Sequence, residues 1–109
     1  MDRARIVVYV DPDLADLIPG YLNNRRKDVI TVRDAIAQHD MESVWRIGHN
    51  MKGNGTSYGF DAITAFGAEL EKGGKEQDLE SVNLTLTCLE VYLDRVEIVY
   101  GQGEDVSRY

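Results

Sequence analysis

The chain has few of the residues that constrain a fold covalently. Its 109 residues include one cysteine and two prolines, and none of its apolar runs is long enough to span a bilayer. Cys88 has no second cysteine with which to form an internal disulfide, which excludes a disulfide-rich secreted fold. No secretory signal pattern is visible in the first residues. We therefore expect a reduced, cytoplasmic protein without a membrane span.

Positive charge is also scarce. Lysine and arginine number 12 against 19 aspartates and glutamates, which gives a formal net charge of -7. An acidic surface does not attract a phosphate backbone or an anionic lipid headgroup, so we expect no nucleic acid and no membrane as partner. The apolar fraction of 43% and the charged fraction of 28% are typical of a folded globular chain. The length predicts a single domain over residues 1–109.

Apolar residues recur at spacings of three and four along most of the chain, which predicts helices rather than strands. The clearest stripe runs from Leu79 to Tyr100 and predicts a long C-terminal helix capped by Asp78. The glycine pair Gly73 and Gly74 is expected to end the preceding helix in a turn. These two helices should therefore form an antiparallel hairpin.

Two further helices are expected upstream, one over about 20–40 and one over Met41–Tyr58. Asp11 and Pro12 predict the cap and the first position of a short initial helix. Pro19 should end or kink that short helix, because proline cannot donate an interior helical hydrogen bond.

The two ends of the chain differ from this helical pattern. The β-branched segment 6–10 has no visible strand partner, so residues 1–10 are expected to lie on the helices as an N-terminal arm. Residues 101–109 are polar and rich in glycine, which predicts a flexible tail. The expected fold class is all-α, an up-and-down four-helix bundle with a short extra N-terminal helix or arm.

The helix predicted over Met41–Tyr58 carries the chemically most suggestive side chain, His49. At about 100° per residue, this histidine lies about 130° or more from the centre of the buried stripe and faces outward. The stripe itself consists of apolar and small residues at helical spacing: Met41, Val44, Gly48, Met51, Gly55 and Tyr58.

Two cations and a glycine lie one turn from His49. Arg46 and Lys52 are expected to flank the imidazole, to keep it neutral and to stabilise an attached phosphoryl group. A neutral ring nitrogen is the form that attacks phosphorus. Gly53 destabilises an exposed helix by about 1 kcal/mol relative to alanine. A need for space, either for a phosphoryl group or for an approaching partner, would explain why glycine stands there.

Simpler interpretations of these residues exist. An exposed histidine beside lysine and arginine is often only part of a solvated face, and the local pattern supports both interpretations about equally. A metal site is not expected, because His39 and His49 lie on different helices and Cys88 has no partner cysteine. Glu71 is interpreted, with the acidic residues near it, as a source of solubility.

The pattern around His49 resembles the hallmark of the histidine-containing phosphotransfer (HPt) domains of multistep two-component signalling. In that family, lysine and glycine stand at the third and fourth positions after the histidine, followed by small residues and by a glycine at the tenth position. The corresponding residues here are His49, Lys52, Gly53, Gly55 and Gly59. The likeness extends to Met51, Gly67, Leu70 and Glu71, and it covers most of the chain beyond Asp11.

The resemblance implies a role for several of these residues. His49 would accept the phosphoryl group on its outer ring nitrogen, Lys52 would support the added charge, and Gly53 would leave space beside it. Gly59 would serve helix packing. Asn54 stands where the family more often has serine or alanine, which is expected to alter the edge of the docking surface. That surface is expected to include Trp45, Arg46 and Thr56.

The resemblance also implies what partners supply. The expected partners are a response regulator receiver domain, which brings the aspartate and the magnesium ion, and a hybrid sensor histidine kinase. The chain itself is expected to be a monomer, to bind no metal or other cofactor and to have no catalytic activity of its own. Phosphoryl transfer relies chiefly on positioning and charge neutralisation, and no phosphate-binding glycine loop occurs in the sequence.

Two alternatives remain open from the sequence. The first is a helical bundle that docks receiver domains without being phosphorylated, although such a module would be free to lose His49. The second is an enzyme that uses His49 for general acid–base catalysis. The second is weakened by the lack of a catalytic companion in the pattern.

Overall fold

Four helices and two short strands make up the part of the chain that the computed structural model describes, residues 5–101. The two strands are β1 (Ile6–Val10) and β2 (Val96–Tyr100), and the helices are α1 (Ile18–Ala37), α2 (Met41–Asn54), α3 (Asp61–Glu76) and α4 (Leu79–Arg95). Two 3-10 turns lie at Pro12–Leu14 and Thr56–Tyr58. The predicted all-α bundle is confirmed. The predicted flexible tail lies outside the described residues except for Gly101.

Aspartates begin three of the helical segments. The carboxylates of Asp40 and Asp78 accept hydrogen bonds of 3.1 Å from the backbone N–H groups of Ser43 and Ser81, respectively. Because the first N–H groups of a helix have no intrahelical acceptor, these contacts stabilise the starts of α2 and α4. Asp11 caps the first 3-10 turn in the same way, as predicted.

Pro19 lies in the first turn of α1. Its missing N–H has no consequence there, since the first N–H groups of a helix are not bonded within it. The predicted break at Pro19 is therefore wrong, and α1 begins at Ile18 rather than near Gly20.

The glycine pair Gly73 and Gly74 does not end a helix, contrary to the sequence prediction. Both glycines are buried inside α3, which continues past them. A Cβ atom on Gly73 would lie 2.8 Å from Val82, and one on Gly74 would lie 2.7 Å from the backbone nitrogen of Trp45. The pair thus permits close packing on both neighbouring helices. The helix ends instead at Gln77, which has a left-handed φ of 54°.

Segment 6–10 forms the N-terminal arm, but the arm is a paired strand and not the unpaired segment that the sequence predicts. Strands β1 and β2 run parallel, with Ile6 opposite Val96 and Val10 opposite Tyr100. The predicted continuation of the C-terminal helix to Tyr100 is therefore also wrong, because α4 ends at Arg95 and the chain continues as a strand. The β-branched residues of both segments suit this extended pairing.

The core joins all four helices. Its fully buried residues come from each helix, from β1 and from the segment before α3: Val10, Ile18, Val32, Val44, Met51, Phe60, Ile63, Leu70, Val82, Leu86 and Leu89. Tyr21 of α1 stacks on Tyr58, with ring centroids 4.3 Å apart. This packing fixes which face of α2 is buried and leaves the opposite face at the surface.

Candidate functional site

Helices α2 and α3 approach each other through glycines. A Cβ atom on Gly48 would lie 2.5 Å from the backbone nitrogen of Glu71, and one on Gly67 would lie 2.3 Å from that of Lys52. Both distances are too short for a real side chain, so the two backbones are in direct contact. This contact brings side chains of α3 within reach of the outer face of α2.

His49 is on that outer face, as the helical periodicity predicts. Its side chain is 60% exposed, and its Nδ1 lies 2.9 Å from Oε2 of Glu71. A carboxylate only accepts hydrogen bonds, so Nδ1 of the neutral ring must carry the hydrogen. The unprotonated nitrogen is then Nε2, which is the nitrogen that can act as a nucleophile.

Glu71 binds three side chains. Besides His49, it contacts Nζ of Lys52 at 2.5 Å and Nζ of Lys75 at 3.4 Å. The hydrogen bond from Lys52, followed by the one from His49, lowers the pKa of Glu71 from 4.5 to about 2, against the opposing effect of burial. The carboxylate is therefore ionised at neutral pH.

The sequence interpretation of Glu71 as a source of solubility is wrong. Its side chain is only 12% exposed and is held between α2 and α3 by the three contacts. A buried carboxylate with several charged partners is an organising element of a site rather than a solvated surface charge. Two signals in the sequence point to this role: Lys75 lies one helical turn after Glu71, and Glu71 takes part in the likeness to the HPt family.

The side-chain contacts of Arg46 are with residues other than His49. It forms an ion pair with Glu42 on its own helix, and its guanidinium lies 6.0 Å from the ring centre of Trp45. Lys52 likewise bonds to Glu71. The charged group that contacts the ring of His49 is thus the carboxylate of Glu71, and the flanking role expected of the two cations stays a prediction.

Gly53 has open space beside it. A Cβ atom at this position would meet nothing within 4 Å, in contrast to Gly55, where it would lie 2.5 Å from the backbone nitrogen of Thr64. The predicted space next to His49 is present. Gly59 was expected to serve helix packing, but it lies outside the helices. It has a left-handed φ of 92° and ends the second 3-10 turn.

Asn54 is turned toward α1. Its Oδ1 accepts hydrogen bonds from the hydroxyl of Tyr21 at 2.7 Å and from Arg25 at 3.2 Å. The side chain is half-buried and joins the end of α2 to α1. This departure from the family pattern therefore serves a contact between helices, and its effect on the docking surface stays a prediction.

The predicted docking residues lie at the two ends of the α2 face. Trp45 is half-buried, and Nζ of Lys75 lies 4.9 Å from the centre of its ring. Thr56 is exposed, and its backbone N–H donates to Oγ1 of Thr64 at 2.8 Å. Trp45 and Arg46 are close to each other, whereas Thr56 follows the C-terminal end of α2. Their role in docking stays a prediction.

The site has few possible metal ligands. Over residues 5–101, no group of three or more histidine, cysteine, aspartate or glutamate side chains could hold a metal ion. The oxygens of Glu71 already contact two ammonium groups and an imidazole. The arrangement can hold a neutral imidazole in one tautomer and can supply positive charge nearby, both of which suit acceptance of a phosphoryl group.

The chain belongs to the Hpt domain family, because a family model described as the Hpt domain matches residues 17–98. Domains of this family are phosphotransfer carriers of two-component systems, rather than catalysts, and they interact with receiver domains and kinases. Neither the comparison with curated proteins nor the comparison with solved structures gave a match. No helix of the described part of the chain is both long and apolar enough to cross a membrane.

Proposed function

We propose that this protein is a phosphorelay carrier with His49 as its phosphoryl acceptor. It takes the group from a receiver-domain aspartate or a hybrid sensor kinase and passes it to a response regulator. The observation that carries the proposal is the 2.9 Å contact between Nδ1 of the exposed His49 and the carboxylate of Glu71. This contact supports a ring that is both accessible and held in the reactive tautomer.

The transfer step follows from that geometry. The lone pair of Nε2 attacks phosphorus, an N–P bond forms, and the bond from phosphorus to the aspartyl oxygen of the donor breaks, which leaves a free carboxylate on the donor. Nδ1 keeps its hydrogen, so the ring becomes a cation. The negative charge of Glu71 stabilises that cation, and the reverse sequence returns the phosphoryl group to a second receiver.

Lys52 supports the phosphoryl group by its charge. Its side chain is 41% exposed, so its ammonium group can reach outward while it remains near Glu71. A dianionic phosphoryl group on Nε2 would compete with Glu71 for this ammonium group. Gly53 leaves the adjacent space open for the phosphoryl group and for the partner that delivers it.

The decisive experiment incubates the full chain with a phosphorylated receiver domain and with an active hybrid kinase. Wild-type protein should acquire phosphate that is labile in acid and stable in base. His49→Gln should acquire none and should keep the helical circular dichroism spectrum. The sequence has two histidines, and His39→Gln, the matched control, should be labelled like the wild type.

Two results would contradict the assignment. Labelling of His49→Gln at the wild-type level would show that a residue other than His49 accepts the phosphoryl group. Binding of receivers without labelling of the wild type by any donor would support the alternative function, an unphosphorylated docking module.

The proposal places magnesium on the receiver and none on this chain. Chelation of magnesium should stop transfer from the phosphorylated receiver, whereas phosphate already on His49 should persist in the isolated carrier. Trp45, Arg46 and Thr56 are proposed as docking residues. Their alanine variants should weaken receiver binding without changing the chemical stability of the phosphohistidine.

A further inference from the structure

The outer face of α4 exposes apolar side chains that the His49 site does not use. Leu84 is 65% exposed and Val91 is 41% exposed, and the thiol-bearing Cys88 is also exposed. With about 100° of rotation per residue, these three residues lie within about 60° of one another on one face of the helix. The opposite face of α4 is buried in the core, so this stripe is not needed to hold the bundle together.

Charges of opposite sign mark the two ends of the same stripe. Glu80 lies one turn before Leu84, and Arg95 lies one turn after Val91. Both are within about 40° of Leu84 around the helix. Across residues 5–101, neither Glu80 nor Arg95 forms an ion pair. The stripe therefore has an acidic end, an apolar centre and a basic end.

We propose that this stripe binds the same stripe of a second copy of this chain, with the two α4 helices antiparallel. We call the stripe the Leu84 face, and its residues are Glu80, Leu84, Thr87, Cys88, Val91 and Arg95. In an antiparallel pair centred between Thr87 and Cys88, Leu84 faces Val91 of the other copy. In the same register, Glu80 faces Arg95.

This self-complementary order favours a second copy over an unrelated partner. In a two-fold dimer, a residue that contacts a second residue of the other copy is itself contacted by that second residue. The apolar pair and the charged pair both satisfy this rule in the same register. Each apolar pair then lies about 5 Å along the helix from the axis, and each charge pair lies about 11 Å from it, at 1.5 Å per residue. One helix on each side makes a small interface, so the dimer should form reversibly.

The His49 site stays accessible in this dimer, because its residues lie on α2 and α3 and none belongs to the Leu84 face. A dimer differs from the monomer expected from the sequence. Its formation is independent of the proposed function, since self-association requires no phosphate.

Cys88 provides a direct probe of the pairing. It is the single cysteine of the chain, so a short bismaleimide reagent that links two chains must join two Cys88 thiols. Sedimentation equilibrium of the wild type should show a concentration-dependent dimer, and the reagent should trap it. Leu84→Lys should abolish both signals. The matched control is Ile30→Lys, which introduces the same charge at an aliphatic residue of α1 that is 63% exposed. This control should dimerise like the wild type.

Charge reversal tests the register itself. Glu80→Arg should raise the dissociation constant roughly tenfold, because two symmetric ion pairs become repulsive. Adding Arg95→Glu to that variant should restore most of the affinity, with circular dichroism confirming that each variant is folded. A wild type that stays monomeric at its highest soluble concentration would overturn the proposal. Equal dimerisation of Leu84→Lys and wild type would do the same, and failure of the double reversal to restore affinity would overturn the antiparallel register.

Discussion

The α2–α3 pair is joined backbone to backbone, whereas the α1–α4 pair is bridged by long side chains. Gly48 and Gly67 leave no room for a Cβ atom between α2 and α3. Between α1 and α4, Arg26 reaches the carbonyl of Leu93 at 3.2 Å, and Arg33 reaches Glu90 at 2.6 Å. The short side chain of Glu71 contacts His49 only because its helix is held this close. The proposed chemistry of this domain therefore lies at the helix pair whose backbones are in direct contact.

The largest effect is expected from a methyl group added at the α2–α3 contact. In Gly67→Ala the new Cβ would lie 2.3 Å from the backbone nitrogen of Lys52, where only a backbone shift can relieve the clash. We expect a loss of about 3 kcal/mol in the free energy of unfolding, at the upper end of usual overpacking costs. Urea denaturation measures it. A loss below about 1 kcal/mol would mean that α2 and α3 can separate easily, and the contrast between the two helix pairs would fail.

A pH-dependent effect is expected from Glu71. Its folded-state pKa of about 2 lies below the ordinary value of 4.5, so its ionic contacts stabilise the fold above pH 4.5 and this contribution is lost as the pH falls toward 2. Wild type should therefore exceed Glu71→Gln in stability at neutral pH, and the difference should shrink over that range. Chemical denaturation at a series of pH values measures the difference between the two proteins.

Glu69→Gln controls for the change in net charge, because it removes an exposed carboxylate from the same helix. A difference between wild type and Glu71→Gln that stays constant down to pH 2 would show that the contacts of Glu71 contribute no ionic stabilisation.

A gain in stability is expected from Gly53→Ala. A Cβ atom there meets nothing within 4 Å, and alanine is favoured over glycine in a helix by about 1 kcal/mol. The variant should therefore unfold at a higher urea concentration and should also accept phosphate more slowly, because the methyl group occupies space beside His49. If the variant were more stable but accepted phosphate at the wild-type rate, the space beside Gly53 would not be needed for phosphoryl transfer.

The sequence predicted the parts of the site that lie on one helix. The outward position of His49 and the open space at Gly53 follow from helical periodicity and residue type, which are local properties. Glu71 was misinterpreted because its contact with His49 joins residues of different helices, and its position next to other acidic residues resembled a solvated surface. Composition and periodicity contain no direct information about such a contact.

The errors in predicting the fold from the sequence have the same origin. The strand pairing of the N-terminal arm could not be predicted, because its partner β2 lies at the other end of the described chain, where apolar spacing also fits a helix. Gly73 and Gly74 were predicted as a turn because glycine pairs commonly end helices. The close approach of Trp45 and Val82, which explains both glycines, exists only once three helices have packed together.

The smallest effect is expected at the α1–α4 pair. Arg33 and Glu90 are 42% and 48% exposed, and surface ion pairs contribute about 0.2–1 kcal/mol. Arg33→Ala should therefore lower the free energy of unfolding by less than about 1 kcal/mol, and salt should reduce the loss further. A double-mutant cycle with Glu90→Ala isolates the pair from other effects of each substitution. If the cycle instead gave about 3 kcal/mol, as large as the expected loss from Gly67→Ala, side-chain bridges would determine helix positions as strongly as backbone contact does, and the location of His49 at the α2–α3 pair would need another explanation.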